Sequence, residues 1–287
     1  MNASVNPAAD GSVANGAAQS APALKSVTSA DGTTIAYQTF GDGAPVILIG
    51  GAFNDRTTML GLAGVLAPRF TGVVYDRRGR GDSTDNVKDG AYAVEREIED
   101  LAALIEALGG RVSLFGHSSG GILALEAVMR GLPVEKVAVY EVPYIPEGSR
   151  TPPPADGYER LTAMLQRGDA DGAAAHFLIE HVGVPAPMVD QMRAGEGWAY
   201  MAAQAPSLPY DAALGGPSNE IPRDRLAAIH IPVLVINGER TWDWMQTAAG
   251  TVAEAIPGAR HAVLPGQDHS VLQSPQELRS VLTEFLA

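Results

Sequence analysis

The chain has 287 residues, 46% of them hydrophobic and 18% charged, with a formal net charge of −13 at pH 7 and no cysteine. That length can bury one large core, as a single large domain or a domain carrying an insertion. The acidic balance repels phosphate backbones and anionic lipid and argues against nucleic-acid and membrane-surface partners, while the missing cysteine excludes disulfides, thiolate catalysis and zinc–thiolate sites.

Residues 1–22 are rich in Ala, Ser, Asn and Gly and carry no Lys or Arg. They lack the basic start and apolar stretch of a secretory signal and read as a disordered leader. No apolar run approaches the ~18 residues needed to span a bilayer, so the expected location is the cytoplasm. Residues 26–28 and 33–39 read as strands flanking the hairpin signal Asp31-Gly32. A β-branched run at 46–49 ends in Gly50-Gly51, and another at 72–75 ends at Asp76. Residues 94–108 place apolar residues at helical spacing with acidic residues between them. A strand at 112–115, a helix at 119–129 and a strand at 136–140 follow. Later come a strand at 232–236, a helix at 244–255, a strand at 262–264 and a helix at 275–285.

Nearly continuous apolar strands separated by helices predict a mostly parallel, doubly wound α/β sheet of about eight strands, covered on both faces. One stretch, 146–230, holds no β-branched run. It opens on Thr151-Pro152-Pro153-Pro154 and reads as short helices near 161–165, 173–182, 188–194 and 198–204. We take it as a helical cap inserted into a core of residues 23–145 and 231–287. A cap over the C-terminal edge of a parallel sheet is where a substrate pocket belongs.

The strongest motif, Gly116-His117-Ser118-Ser119-Gly120, lies where a strand ends and a helix begins. Such a turn strains its middle residue and exposes the Ser118 hydroxyl above the sheet, and flanking glycines avoid collisions. The following helix turns its N-terminus toward the site, so the Ser119 N–H is a natural oxyanion donor. Of the six histidines, His269 lies in the loop after the last strand, where the α/β-hydrolase superfamily, which this chain resembles, places its general base. His117 is expected to point away from the pocket. His176 and His181 fall in the cap, and His230 and His261 sit beside strands in structural positions.

With these motifs the chain resembles the α/β-hydrolase superfamily from Lys25 to Ala287. Asp76-Arg77-Arg78-Gly79-Arg80-Gly81-Asp82-Ser83 matches that family's D-x-R-G-x-G-x-S segment, a structural turn. Gly50-Gly51-Ala52-Phe53 matches its oxyanion loop, with Gly-Gly where many relatives have His-Gly. The resemblance implies that Ala52, or alternatively Phe53, gives the second oxyanion donor. It also implies an acid after the strand at 232–236, but Thr241 occupies that position, with Glu239 and Asp243 out of register. Some members take the acid from the preceding strand, which ends here at Tyr140-Glu141. Glu141 is therefore the expected acid and Asp243 the alternative.

The implied function is serine hydrolysis of a carboxylic ester or lactone through an acyl-enzyme. The alternatives are cofactor-free perhydrolysis of the haloperoxidase type or C–C bond hydrolysis on the same residues, and a non-catalytic small-molecule receptor. Phe53, Met188, Met192, Trp198 and Met201 are the substrate-binding candidates, pointing to a small to medium, mainly apolar substrate. No cofactor or metal is expected, since no His-Glu-x-x-His or clustered ligand spacing occurs and His176 and His181, five apart, fit one α-helical face poorly. The expected partner is the small-molecule substrate, and homo-oligomerisation is left open.

Overall fold

Alternation of side chains along the strands divides the apolar residues between two faces of one sheet. In the computed structural model, which describes residues 22–86 and 92–287, the strands are β1 (Lys25–Thr28), β2 (Thr34–Phe40), β3 (Ala44–Ile49), β4 (Phe70–Tyr75), β5 (Val112–His117), β6 (Val134–Tyr140), β7 (Val233–Gly238) and β8 (Arg260–Leu264). They form an eight-stranded sheet in the order β1-β2-β4-β3-β5-β6-β7-β8. β2 pairs antiparallel with β1 and β4, and the other pairings are parallel. The leader expected over 1–22 lies, apart from Pro22, outside the described residues.

In β3, Ile47 and Ile49 enter one core while Val46 and Leu48 enter the other. β5 splits in the same way between Leu114 and Phe115, and β7 between Val235 and Leu234. All of these side chains are buried. A one-residue slip of register would exchange the two sets, so the pattern fixes the pairing.

The helices in chain order are α1 (Leu60–Leu66), α2 (Val94–Ala107), α3 (Ser119–Met129), α4 (Gly157–Gln166), α5 (Ala170–His176), α6 (Ala186–Arg193), α7 (Trp198–Gln204), α8 (Leu208–Leu214), α9 (Arg223–Leu226), α10 (Asp243–Ala255) and α11 (Arg279–Leu286). α2, α3, α9 and α10 cover the face of Ile47, and α1 and α11 cover the face of Val46. The helices between β6 and β7 build a third core around Leu161, Phe177 and Leu208, against which Ala52 and Phe53 also pack. That shared packing ties them to the loop after β3, at the carboxyl ends of the parallel strands. Among the described residues no helix is long and apolar enough to cross a membrane.

Several elements differ from the sequence expectation. α1, α8 and α9 were not anticipated: α1 reads Leu-Gly-Leu-Ala-Gly-Val-Leu, with no polar face to give it a helical period. The helix expected at 173–182 changes character at Phe177, where α5 gives way to a π-helical segment, Phe177–Val182. Two acidic residues of α2, Glu97 and Asp100, are buried rather than solvated. Arg77 and Arg78 each grip one of them through two hydrogen bonds of 2.6–2.8 Å. Paired, hydrogen-bonded charge of this kind is what a protein interior tolerates.

Candidate active site

β5 runs directly into α3, and Ser118 alone makes the turn between them. Its φ of 57° and ψ of −128° lie in a region that residues with a side chain avoid. The Ser118 N–H donates to the Tyr140 carbonyl at 2.9 Å, tying the turn to the end of β6. A Cβ at Gly116 would strike the Gly120 carbonyl, and one at Gly120 would strike the Ile49 carbonyl, so both positions must lack a side chain. Ser119 opens α3, and its N–H has no acceptor within the helix.

The end of β6 carries the acid candidate. Glu141 is wholly buried and has a left-handed φ of 47°. Its Oε2 accepts from His269 Nδ1–H at 2.7 Å and from the Thr241 hydroxyl at 3.0 Å, while Oε1 accepts from the Gly238 N–H at 2.8 Å. Three donors stand in for the water that this carboxylate has lost. Thr241 thus serves the carboxylate from the place where an acid was first sought. Asp243 is exposed at the start of α10, where its carbonyl accepts from the Thr247 hydroxyl, and among the described residues its carboxylate makes no ion pair with His269.

The loop bearing His269 is clamped from below. His117 Nε2–H donates to the His269 carbonyl at 3.0 Å, and the Tyr140 hydroxyl donates to the Asp268 carbonyl at 2.7 Å. Burial, followed by the repulsion that a protonated His269 would exert, pushes the His117 pKa down to about 3, so it is neutral. His117 does not point away from the pocket, as the motif suggested. Its ring packs against those of Tyr140 and His269 and borders the same cavity.

The loop after β3 is oriented by a buried ionic network. The Gly51 carbonyl accepts from Arg80 Nη1 at 2.6 Å, and the Ala52 carbonyl from Asn54 Nδ2 at 2.6 Å. In a trans peptide the N–H points opposite to the carbonyl, so these bonds fix the directions of the Ala52 and Phe53 N–H groups. The loop lies against the nucleophile candidate: a Cβ on Gly51 would come within 2.8 Å of Ser118 Cβ. Asp211 of α8 binds Arg77, Arg80 and the Ser119 hydroxyl, each at 2.7 Å. One carboxylate from the β6–β7 helices therefore reaches both candidate oxyanion segments.

Burial alone would raise the carboxyls of Asp211 and Glu97, but the guanidiniums outweigh it and hold both below their ordinary values. Depressed carboxyls stabilise the fold above their unfolded pKa of about 4, and this contribution is lost as pH falls through the lower folded values. Asp211→Asn leaves Arg80 without its buried counter-charge and should destabilise the protein by about 3–5 kcal/mol at neutral pH. Urea unfolding at pH 7 measures this, and a loss below about 1 kcal/mol would show that the network tolerates the missing charge.

Ser118, His269, Ala52 and Phe53 border one cavity of about 170 Å³. Phe177, Leu178, His181 and Val182 line it from the π-helical segment, and Trp244 and Met245 from α10. Of the sequence candidates for substrate contact, only Phe53 lies on it. Met188 and Met192 are 54% and 36% exposed on the outer side of α6. Trp198 is buried in the core of the β6–β7 helices with its indole N–H on Asp171, and Met201 packs on that same core. An apolar residue in a short helix belongs to packing or to a pocket equally well, and composition does not separate the two. The apolar run Phe177-Leu178-Ile179 between two histidines was the available signal. His176 and His181 do meet, with ring centroids 6.3 Å apart, because the wider π-helical turn, bonded i→i+5, brings residues five apart closer to one face than an α-helix does. His261 bonds the Asn237 side chain at 2.7 Å, and His230 is exposed. Among the described residues no group of three or more His, Asp or Glu side chains is placed to hold a metal ion.

The sequence profile of the alpha/beta hydrolase family matches residues 46–281. The crystal structure of an alpha/beta hydrolase from Sphaerobacter thermophilus shares 46% identity over 92% of this chain and 100% of that one, with a TM-score of 0.85. A 2-(acetamidomethylene)succinate hydrolase of Mesorhizobium japonicum is 26% identical over 258 residues, 86% of this chain and 89% of that protein. A non-heme chloroperoxidase of Kitasatospora aureofaciens is 38% identical over 96 residues, 33% of this chain and 34% of that protein.

Proposed function

This chain belongs to the alpha/beta hydrolase family, and on that premise we propose that it is a serine hydrolase cleaving a carboxylic ester or lactone of a small, mainly apolar substrate through an acyl-enzyme. The observation that carries the reading is the 2.7 Å bond from His269 Nδ1–H to the buried Glu141 carboxylate, with Ser118 strained at the edge of the same cavity. Holding the proton on Nδ1 leaves Nε2 free as a base. In this reading Nε2 takes the Ser118 proton as Oγ attacks the substrate carbonyl carbon. The N–H groups of Ser119 and Ala52, with Phe53 as the second choice, stabilise the oxyanion. Collapse breaks the ester bond, and the leaving oxygen takes the proton from His269. Water then attacks the acyl-enzyme by the same route and frees Ser118. A cavity of about 170 Å³ suits a short substrate, since a cavity of similar size accommodates benzene.

The partial match to a chloroperoxidase supports a second reading, in which hydrogen peroxide replaces water and the product is a peracid. A panel of short p-nitrophenyl esters and small lactones, run beside acetate with peroxide, separates the two. Hydrolysis of short esters or lactones that outpaces peracid formation is the expected result. Faster peracid formation would favour the second reading, and turnover of neither would leave only binding.

A further inference from the structure

The cavity wall holds polar groups that the proposed hydrolysis does not use. His181 is only 8% exposed, and neither ring nitrogen has a hydrogen-bond partner among the described residues. Burial, helped by the charges of His176 and Arg150, pushes its pKa down to about 4, so the ring is neutral near pH 7 and offers one donor and one acceptor. Its placement is fixed. The ring stacks on Phe177 with centroids 5.1 Å apart, and Phe177 meets the Phe53 ring edge-on at 5.6 Å. A Cβ on Gly157 would strike the His181 ring, so the first residue of α4 makes room for it. The π-helical backbone that presents His181 is an irregularity that recurs at functional sites.

Asn219 supplies a second, independent observation. It too is 8% exposed and borders the cavity, and its Oδ1 lacks a partner among the described residues. Its φ is 52°, a strained state for a residue with a side chain, and it is held there by the Ile145 N–H bonding its carbonyl at 2.7 Å. Around both groups the wall is apolar: Phe53, Ile122, Phe177, Leu178, Trp244 and Met245. Few polar groups in an apolar pocket fix a ligand's orientation. The charge of Asp211, on the same cavity, is already taken by Arg77 and Arg80.

We infer that His181 and Asn219 form a recognition site for an uncharged group that both donates and accepts hydrogen bonds, a hydroxyl or carboxamide, carried by the substrate beside its scissile ester. The substrate class is then a small hydroxy- or amido-substituted ester or lactone. This deepens the hydrolase reading and rests on it.

The test measures kcat/KM for ethyl butyrate, for ethyl hydroxybutyrates with the hydroxyl at each acyl carbon, for hydroxyethyl butyrate and for monoethyl succinate. At least one hydroxylated ester should exceed ethyl butyrate about tenfold or more. His181→Leu should bring that ratio close to one, and His181→Gln, which keeps a donor and an acceptor, should restore part of it. Equal rates for all neutral esters, or a preference that survives in His181→Leu, would overturn the site while leaving the hydrolase reading standing. A preference for monoethyl succinate lost in Arg150→Gln would likewise overturn it, in favour of an anionic substituent. No turnover of any of these esters, or of small lactones, by the unaltered protein would remove both readings.

Discussion

Ser118→Ala is expected to lower kcat by at least ~10³-fold, because what remains is oxyanion stabilisation and binding without a nucleophile. The substitution suits the position. Alanine at φ 57° carries the same backbone strain as serine, and the turn's hydrogen bond to Tyr140 uses the backbone N–H, which alanine keeps. The midpoint of thermal unfolding should therefore hardly move, separating lost chemistry from lost fold. Residual activity within tenfold of the unaltered protein would contradict the role of Ser118.

Glu141→Gln is expected to cost on the order of 10²- to 10⁴-fold in kcat. The carboxylate faces three donors: His269 Nδ1–H, the Thr241 hydroxyl and the Gly238 N–H. An amide presents one acceptor oxygen and an NH₂ that meets donors, so either the imidazole loses its orienting bond or another buried donor goes unpaired. The charge that would stabilise imidazolium is lost in both cases. Asp243→Asn should leave kcat within about twofold, since Asp243 is exposed and makes no ion pair with His269. Steady-state kinetics on the two variants decides it, and the reverse pattern would move the acid to the loop after β7.

The sheet was legible because its central strands are short, nearly continuous apolar runs bounded by turn residues, and successive residues of each, as in Val46 to Ile49, feed two cores. Ser118 could be nominated because the strand-turn-helix motif is local, and His269 because it follows the last strand, where the family that the chain resembles places its histidine. Glu141 could be nominated through the threonine at 241 and its own place directly after an apolar strand, from which some members of the resembled family take their acid. How the two fit was not legible: the Thr241 hydroxyl bonds the Glu141 carboxylate, and that contact spans 100 positions of the chain. The network around Asp211 was hidden for the same reason. Nothing in the local sequence of α8 says that its aspartate binds two arginines more than 130 positions away. The pocket wall was misjudged because Met188 and Met192 resemble pocket residues in composition, while the π-helical turn that supplies His181 has no signature in α-helical periodicity.

Labelling with a fluorophosphonate followed by peptide mapping tests, without knowledge of the substrate, whether Ser118 is an activated nucleophile. The expected result is a single stoichiometric adduct on Ser118, formed much more slowly in Glu141→Gln, where the imidazole is no longer held as a base. An adduct on Ser119 or any other serine, or no adduct on a folded protein, would contradict it.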